Sequence, residues 1–356
     1  MDGVSVNILV VKPSSLGDVI HTFPAVDLIR RCYPDAFISW VVNDSLVGVV
    51  ELLPSVDEVI VFNRKRLGRL GHCHEFLFFL RELRQHKYDL ALDFQGLFRS
   101  GLISFASGAP RRIGFRCARE QAGLFYTEKV FLPANLKHAV DKNVFLVRSA
   151  LEIAEPMQLP TLEANRDFVK GAQRLFSQHG LSEGGPLLAV APASRWLSKT
   201  WPADFFAGVL DRVSSAVPSL RCWVLGTQEE QGVVESVIAS CTNCRPCNLA
   251  GTTNIGTLTE MLRCSDVLLT NDSGPMHLAA ALKVPTVAMF GPTDPELTGP
   301  YGDNHHVFIG NCRQGPCFSR NCPFEKRTCV ENVSVESVAA AVIQAIDAKS
   351  GARKSD

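Results

Sequence analysis

Apolar and polar positions change period repeatedly along the first 150 residues. NILVVK, from Asn7, is an unbroken β-branched run of the kind that forms a buried strand. ISWVV from Ile38, EVIVFN from Glu58 and LALDF from Leu90 repeat it, and RRIGF (Arg111 to Phe115) adds a fifth. Between them the apolar spacing becomes helical. From Leu16 to Cys32 the positions Val19, Ile20, Phe23, Val26 and Ile29 share a face, and Pro24 inside that pattern predicts a kink or a reset. After an irregular stretch with two prolines, EIAEPMQLPTLE, the alternation starts again. LLAVAP, CWVLG, VLLTND and TVAMFG read as strands, with helices near Asp204, Glu229, Thr257 and Met276. VSVESVAAAVIQAI, from Val333, predicts a terminal amphipathic helix, and KSGARKSD a disordered tail.

Strands alternating with helices predict an α/β protein with parallel sheets covered on both faces. Two doubly wound, Rossmann-like domains in tandem are expected: 1–160, 161–332, and a C-terminal helix and tail over 333–356. In such domains ligands bind at the carboxyl ends of the strands, so a cleft between the two is the expected site.

Composition narrows the class. The 356 residues are 46% hydrophobic and 20% charged, as in a globular protein with sizeable cores. No apolar run reaches the roughly 18 residues that span a bilayer, and the first residues lack a basic n-region and a cleavage site. A cytoplasmic protein is expected. Net charge is zero, 36 basic against 36 acidic, but unevenly spread. From Arg64 to Arg119 there are 12 Lys/Arg and 4 Asp/Glu, so this window carries +8 and the rest −8. Arg dominates the window, which favours recognition of an anion over a merely solvated face. No nucleic-acid-binding signature accompanies it, and nucleic acid is not expected as a partner.

Four segments carry chemistry. KPSSLGDVIHT (Lys12 to Thr22) follows the first strand, and Ser14, Ser15 and Gly17 form a small polar turn suited to negative charge. Asp18 is either a stabiliser of the helix start or a general base at the strand ends. His21 either orients Asp18 or fills space. In PASRWLSKTWPADFF, Lys199 stands at a strand-to-helix junction where a lysine can hold a diphosphate, and Ser194 can donate to the same group. Alone, Lys199 would be read as a surface lysine. TNDSGPMHLAAAL is the strongest signal: a buried strand ends in Asn271-Asp272-Ser273-Gly274, and Pro275 opens a helix of small residues. This is an anion site made of open N–H groups and a helix dipole, with His277 one turn in. FGPTDPELTGPYG repeats the idea with Gly291, Thr293 and Asp294. There is no D-x-D triplet, and Asp89 and Asp93 lie within or beside a strand, so a metal chelating a donor diphosphate is not indicated. Lys199 and helix dipoles would have to stabilise the leaving group.

KPSSLGDVIHTFPA, DFQGLFRSGL, CARE, HAVDKN, SKTWP, TNDSGPMHLAAAL and FGPTDPELTGPYG, in that order, resemble the motifs of the ADP-heptose–lipopolysaccharide heptosyltransferase family. The similarity runs from about Asn7 to Gly302. It implies a GT-B fold and inverting transfer of heptose from ADP-L-glycero-D-manno-heptose to a Kdo or heptose hydroxyl of the lipopolysaccharide inner core, with no cofactor required. By position, Asp18 matches the family's catalytic base and Lys199 the lysine that binds the donor phosphates. Ser15, Gly17, Ser194, Glu229, Asp272, Ser273, Gly274, His277 and Thr293 are expected around the donor, Glu229 near the ribose. Arg99, Arg119 and His138 match acceptor positions, with Arg64, Lys65 and Arg66 as weaker additions. The first domain would then bind the acceptor and the second the donor nucleotide. An anionic acceptor, Kdo-lipid A or heptosylated core, agrees with the basic window, and would bring the protein to the inner membrane surface as a peripheral partner.

The departure from this pattern is the segment after Gly302. Cys312, Cys317, Cys322 and Cys329 fall at C-x4-C-x4-C-x6-C spacing, and four thiolates in a short loop can close a structural Zn or Fe site. Free thiols or disulfides formed on isolation are the alternative. Cys241, Cys244 and Cys247 form a second group without an obvious fourth ligand nearby. Because of the cysteine loop, heptosyl transfer to a protein acceptor stands as the alternative function, and a non-catalytic sugar-nucleotide-binding protein as a third.

Overall fold

A computed structural model describes residues 6–63, 73–322, 324 and 328–352. The chain divides into two compact units, Met1–Glu163 and Ala164–Asp356.

The first unit is built on a six-stranded parallel sheet: β1 Asn7–Val11, β2 Phe37–Asn43, β3 Glu58–Phe62, β4 Leu90–Asp93, β5 Arg111–Phe115 and β6 Glu128–Val130. Their spatial order is β3-β2-β1-β4-β5-β6. The sequence reverses direction across the sheet between β1 and β4, and Val11 lies opposite both Val41 of β2 and Asp93 of β4. β1, β2 and β4 are almost wholly buried, as their unbroken apolar runs require of strands covered on both faces. The helical pattern over Leu16–Cys32 resolves into two helices, Leu16–Ile20 and Phe23–Cys32. The break falls at His21 and Thr22, so that Pro24 sits in the first turn of the second helix, where its missing N–H costs nothing.

The second unit has the same plan: β7 Leu187–Ala191, β8 Arg221–Val224, β9 Cys247–Asn248, β10 Val267–Asn271, β11 Thr286–Phe290 and β12 His305–Ile309. The order β12-β11-β10-β7-β8-β9 is that of the first sheet, with β7 and β10 at the reversal. Ala191 pairs with Thr270 there. The terminal helix, Val335–Ala352, runs on through residues expected to be disordered. Val338, Ala341, Val342, Ala345 and Ile346 lie in the same core cluster as Phe206, Val209, Leu210 and Val213 of the helix Ala203–Ala216. Lys349 Nζ donates to the Ser265 carbonyl at 2.8 Å, which fixes the last turns. None of the described helices is long and apolar enough to cross a membrane.

Candidate active site

In an open doubly wound sheet the loops at the reversal diverge to opposite faces and leave a crevice at the carboxyl ends of the two central strands. The first unit puts KPSSLGD after β1 and DFQGLFR after β4 at that point, and the second puts PASRWLSK after β7 and NDSGPMH after β10. All four segments belong to motifs singled out in the sequence.

At the end of β1, Asp18 is held by Ser15. The Ser15 N–H donates to Asp18 Oδ2 at 2.9 Å and the Ser15 hydroxyl to the same oxygen at 2.7 Å. The carboxylate therefore closes the start of its own short helix and has a fixed orientation. The Ser15 N–H is thereby taken up by Asp18, and that of Ser14 reaches Gln95 Oε1 at 3.4 Å. Gly17 is buried beneath the turn. His21 is also buried and meets His138 edge-on, with 5.2 Å between ring centroids. His138 Nδ1 accepts from the Val140 N–H and so caps the helix Ala139–Leu151.

Two groups support this crevice, Lys12, given no role from the sequence, and Asp93, weighed there only as a metal ligand. Lys12 is buried, and its ammonium donates to the Phe94 carbonyl at 2.9 Å. Burial pushes its pKa down, and the negative charges of Asp18 and Asp93 push it back up. Asp93, last residue of β4, is fully buried. Burial raises its pKa, against hydrogen bonds from Tyr126 and from the Gly96, Ser100 and Gln95 region that favour the carboxylate. The Tyr126 hydroxyl lies 2.7 Å from Oδ2, and the Gln95 and Gly96 N–H groups 2.8 and 3.1 Å from Oδ1. Gly96 takes φ 65°, the left-handed conformation that lets this turn close on the carboxylate. Beside the turn is a cavity of about 320 Å³ lined by Ser14, Asn43, Phe62, Gln95, Arg99 and Glu120, among others. Arg99 is exposed, its guanidinium 5.8 Å from the Phe62 ring centroid. Arg119 is exposed too, and its N–H donates to the Gly96 carbonyl at 2.8 Å. Arg64, Lys65 and Arg66 lie outside the described residues.

In the second unit Lys199 and Asp272 form a largely buried ion pair, Nζ to Oδ2 2.5 Å, with side chains 15% and 5% exposed. Thr293 Oγ1 donates to the same oxygen at 2.6 Å, and Ser194 Oγ to the Asp272 carbonyl at 3.1 Å. Asp272 thus gathers the three loops that follow β7, β10 and β11. Its carboxylate orients Lys199, whose ammonium also stands 4.7 Å from the Trp196 ring centroid. Asn271, read from the sequence only as part of the strand-end turn, does the matching work below: Nδ2 donates to the Pro192 carbonyl at 2.6 Å and Oδ1 accepts from the Trp201 N–H at 3.0 Å. Ser273 is the N-cap residue of the helix Gly274–Ala281, and its hydroxyl is 3.1 Å from that of Thr270. His277 is buried in that helix. Glu229 is exposed in the turn Gln228–Glu230 after β8.

The cysteines divide by position. Cys312, Cys317, Cys322 and Cys329 line one small cavity. The group Cys241, Cys244 and Cys247 gains Cys222 of β8, whose thiol hydrogen-bonds that of Cys244, a contact across the fold that local spacing could not show. Among the described residues, no three His, Cys, Asp or Glu side chains are gathered as the ligand set of an ion.

Comparison with known proteins agrees with this layout. The sequence model for glycosyltransferase family 9 (heptosyltransferase) matches residues 77–328. Lipopolysaccharide heptosyltransferase 1 of Pseudomonas aeruginosa is 28% identical over 326 residues, covering 89% of this chain and 88% of its own. A glycosyl transferase family 9 structure from Veillonella parvula superposes with a TM-score of 0.85 at 25% identity, covering 97% of this chain and 98% of that one. The E. coli heptosyltransferase WaaC, solved with ADP, matches in fold with a TM-score of 0.76 at 23% identity, over 96% of this chain and all of that one. With a family match over more than half its length and the family's motifs at both sheet reversals, the chain belongs to glycosyltransferase family 9, the heptosyltransferases, and is a glycosyltransferase.

Proposed function

We propose that the protein is an inverting GT-B transferase that moves heptose from ADP-heptose to a hydroxyl of the lipopolysaccharide inner core. The relatives support the chemistry: the P. aeruginosa protein is a lipopolysaccharide heptosyltransferase and the E. coli structure holds ADP. In this reading the unit Ala164–Asp356 takes the nucleotide, with Lys199 on the diphosphate, Ser273, Gly274 and His277 at the helix start beside it, and Glu229 towards the ribose. Asp272 and Thr293 keep Lys199 aimed. The unit Met1–Glu163 takes the acceptor, an anionic Kdo or heptosylated core sugar drawn by Arg99 and Arg119 at the cytoplasmic face of the inner membrane.

The observation that carries the proposal is the Asp18 carboxylate, locked by Ser15 at the reversal of its sheet. As the acceptor oxygen attacks the anomeric carbon, Asp18 takes its proton. The bond from that carbon to the β-phosphate oxygen breaks, and ADP leaves with its charge on Lys199 and the helix N-terminus. Transfer in this scheme needs no metal.

Asp18→Asn tests it. Transfer to Kdo-lipid A or to heptosylated Kdo-lipid A should fall by about 10²–10⁴-fold, with ADP-heptose affinity nearly unchanged. Full turnover by the variant removes Asp18 from the base role. Running both acceptors side by side decides which heptose is added.

A further inference from the structure

Lys199, the cation proposed for the donor diphosphate, already has its charge matched by Asp272, at 2.5 Å. The pair is neutral as a unit, whereas the diphosphate gains negative charge as the sugar leaves it. A further cation is wanted beside the pair, one that no carboxylate neutralises. The Trp196 ring marks where one stands: Lys199 Nζ lies 4.7 Å from its centroid, and the Arg320 guanidinium carbon 5.5 Å. Arg320 is exposed, and among the described residues it forms no salt bridge.

Arg320 belongs to the cysteine-rich segment after β12, where the chain departs from the motifs of its family. Both ends of that segment are fixed: Cys329 is buried in the core of the second unit, and Cys312 packs against that core. Its middle is tied to the loops that carry the ion pair. The Ser198 hydroxyl, next to Lys199, donates to the Ser319 carbonyl, next to Arg320, at 2.7 Å. The Phe318 N–H donates to the Pro292 carbonyl at 2.8 Å, and Thr293, the following residue, is the one that bonds Asp272. Phe318 takes φ 51°, a left-handed conformation that residues with side chains rarely adopt, so this turn is held in one shape just before Arg320.

We infer that Arg320 is a second phosphate-binding residue, which reaches the β-phosphate of the nucleoside diphosphate beside Lys199 and takes up charge on the leaving group. The inference rests on the proposed diphosphate role of Lys199. As the bond from the anomeric carbon to the β-phosphate oxygen breaks, its electron pair stays on that oxygen. The planar guanidinium fork of Arg320 can donate two N–H groups to phosphate oxygens, where Lys199 offers a point charge. The Trp196 ring gives the exposed side chain a seat, so less freedom is lost when phosphate binds.

Calorimetric titration of the full chain with ADP, AMP and adenosine is the test, because only ADP carries the β-phosphate. Arg320→Gln should weaken ADP binding about 10-fold and leave AMP and adenosine binding within about twofold. Arg320→Lys should recover part of the loss, since the charge returns without the fork. With the sugar donor, kcat of Arg320→Gln should fall about 10–100-fold. Arg313→Gln, at an exposed arginine of the same segment, should change none of these. Unchanged ADP binding by Arg320→Gln overturns the inference, and so does an equal loss for all three ligands, which would make Arg320 a prop for Trp196 alone. If Lys199→Ala loses ADP affinity while Arg320→Gln keeps it, the proposed donor site stands and Arg320 leaves it. A parent chain that binds none of the three removes the proposed donor itself, and this inference with it.

Discussion

Single side chains show how the second unit prepares a cation for a phosphate. Lys199 is paired with Asp272 in a setting where both are largely withdrawn from water, so the carboxylate serves as an aiming device as well as a counter-charge. Asp272→Asn keeps the shape and the Thr293 contact but replaces a charge-assisted hydrogen bond with a neutral one. Such a bond contributes roughly 1.5–3 kcal/mol, so kcat/KM for the donor should fall about 10–100-fold in steady-state assays. An unchanged value would mean that Lys199 finds the phosphates unaided. Asp18 and Lys199 drew notice in the sequence because each stands in an ordered motif soon after a buried strand, although Lys199 alone reads as a surface lysine and Asp18 equally as a helix stabiliser. The roles of Lys12 and Asn271 were not legible, because their partners lie 70 or more residues away: Phe94 is 82 residues from Lys12, and Trp201 is 70 from Asn271; the Tyr126 hydroxyl on Asp93 comes from 33 residues on. A buried lysine and a carboxylate inside an apolar strand were the only local signals, and neither names a partner.

Whole elements were readable in proportion to their burial. β1, β4, β7, β10 and β11 are central strands whose unbroken apolar runs stand out in the chain. β6, largely exposed with sequence EKV, β9, two residues long, and β12, half-exposed with two histidines, left no such signal. All three are edge strands, which natural sheets keep short, polar or charged. A comparable long-range device anchors the loop after the helix Gln231–Ser240. Asp211 accepts from the N–H groups of Thr242, Asn243 and Cys244, each at 2.8 Å, and from the Thr242 hydroxyl at 2.7 Å. Burial works against its ionisation, but these bonds outweigh it and hold its pKa at about 2, below the ordinary 3.8. A carboxylate with a depressed folded pKa stabilises the fold above its unfolded pKa and loses that contribution as pH falls through the folded value. Asp211→Ala should therefore cost about 1–2 kcal/mol at pH 7 in urea unfolding. The gap from the parent should narrow as pH drops from 3.8 towards 2. A gap that stays constant over that window would remove the charge from the explanation.

For the whole molecule, the division into two units makes nucleotide binding a regional event. ADP should slow amide exchange in peptides covering Ser194–Lys199, Gln228–Gln231 and Asn271–His277, and leave Lys12–Thr22 nearly unaffected. At 100 times its Kd, ADP should add about 2.7 kcal/mol to the stability of the unit it binds. Protection centred on Lys12–Thr22 would assign the nucleotide to the other unit.

The all-parallel sheets have a consequence for how the chain reaches its native state. Among the described residues each of the ten strand pairings is parallel, so none of these can be closed by a tight hairpin, and each waits for a crossover to be laid down. Folding of this kind is slow, and its unpaired edges are prone to aggregate. On the ribosome, however, the first sheet is complete by Val130, well before the second begins at Leu187. At about 5–20 residues per second, synthesis of residues 164–356 takes roughly 10–40 s. Vectorial synthesis thus gives the first unit time to close before a second sheet of the same strand order, with competing edges of its own, leaves the exit tunnel.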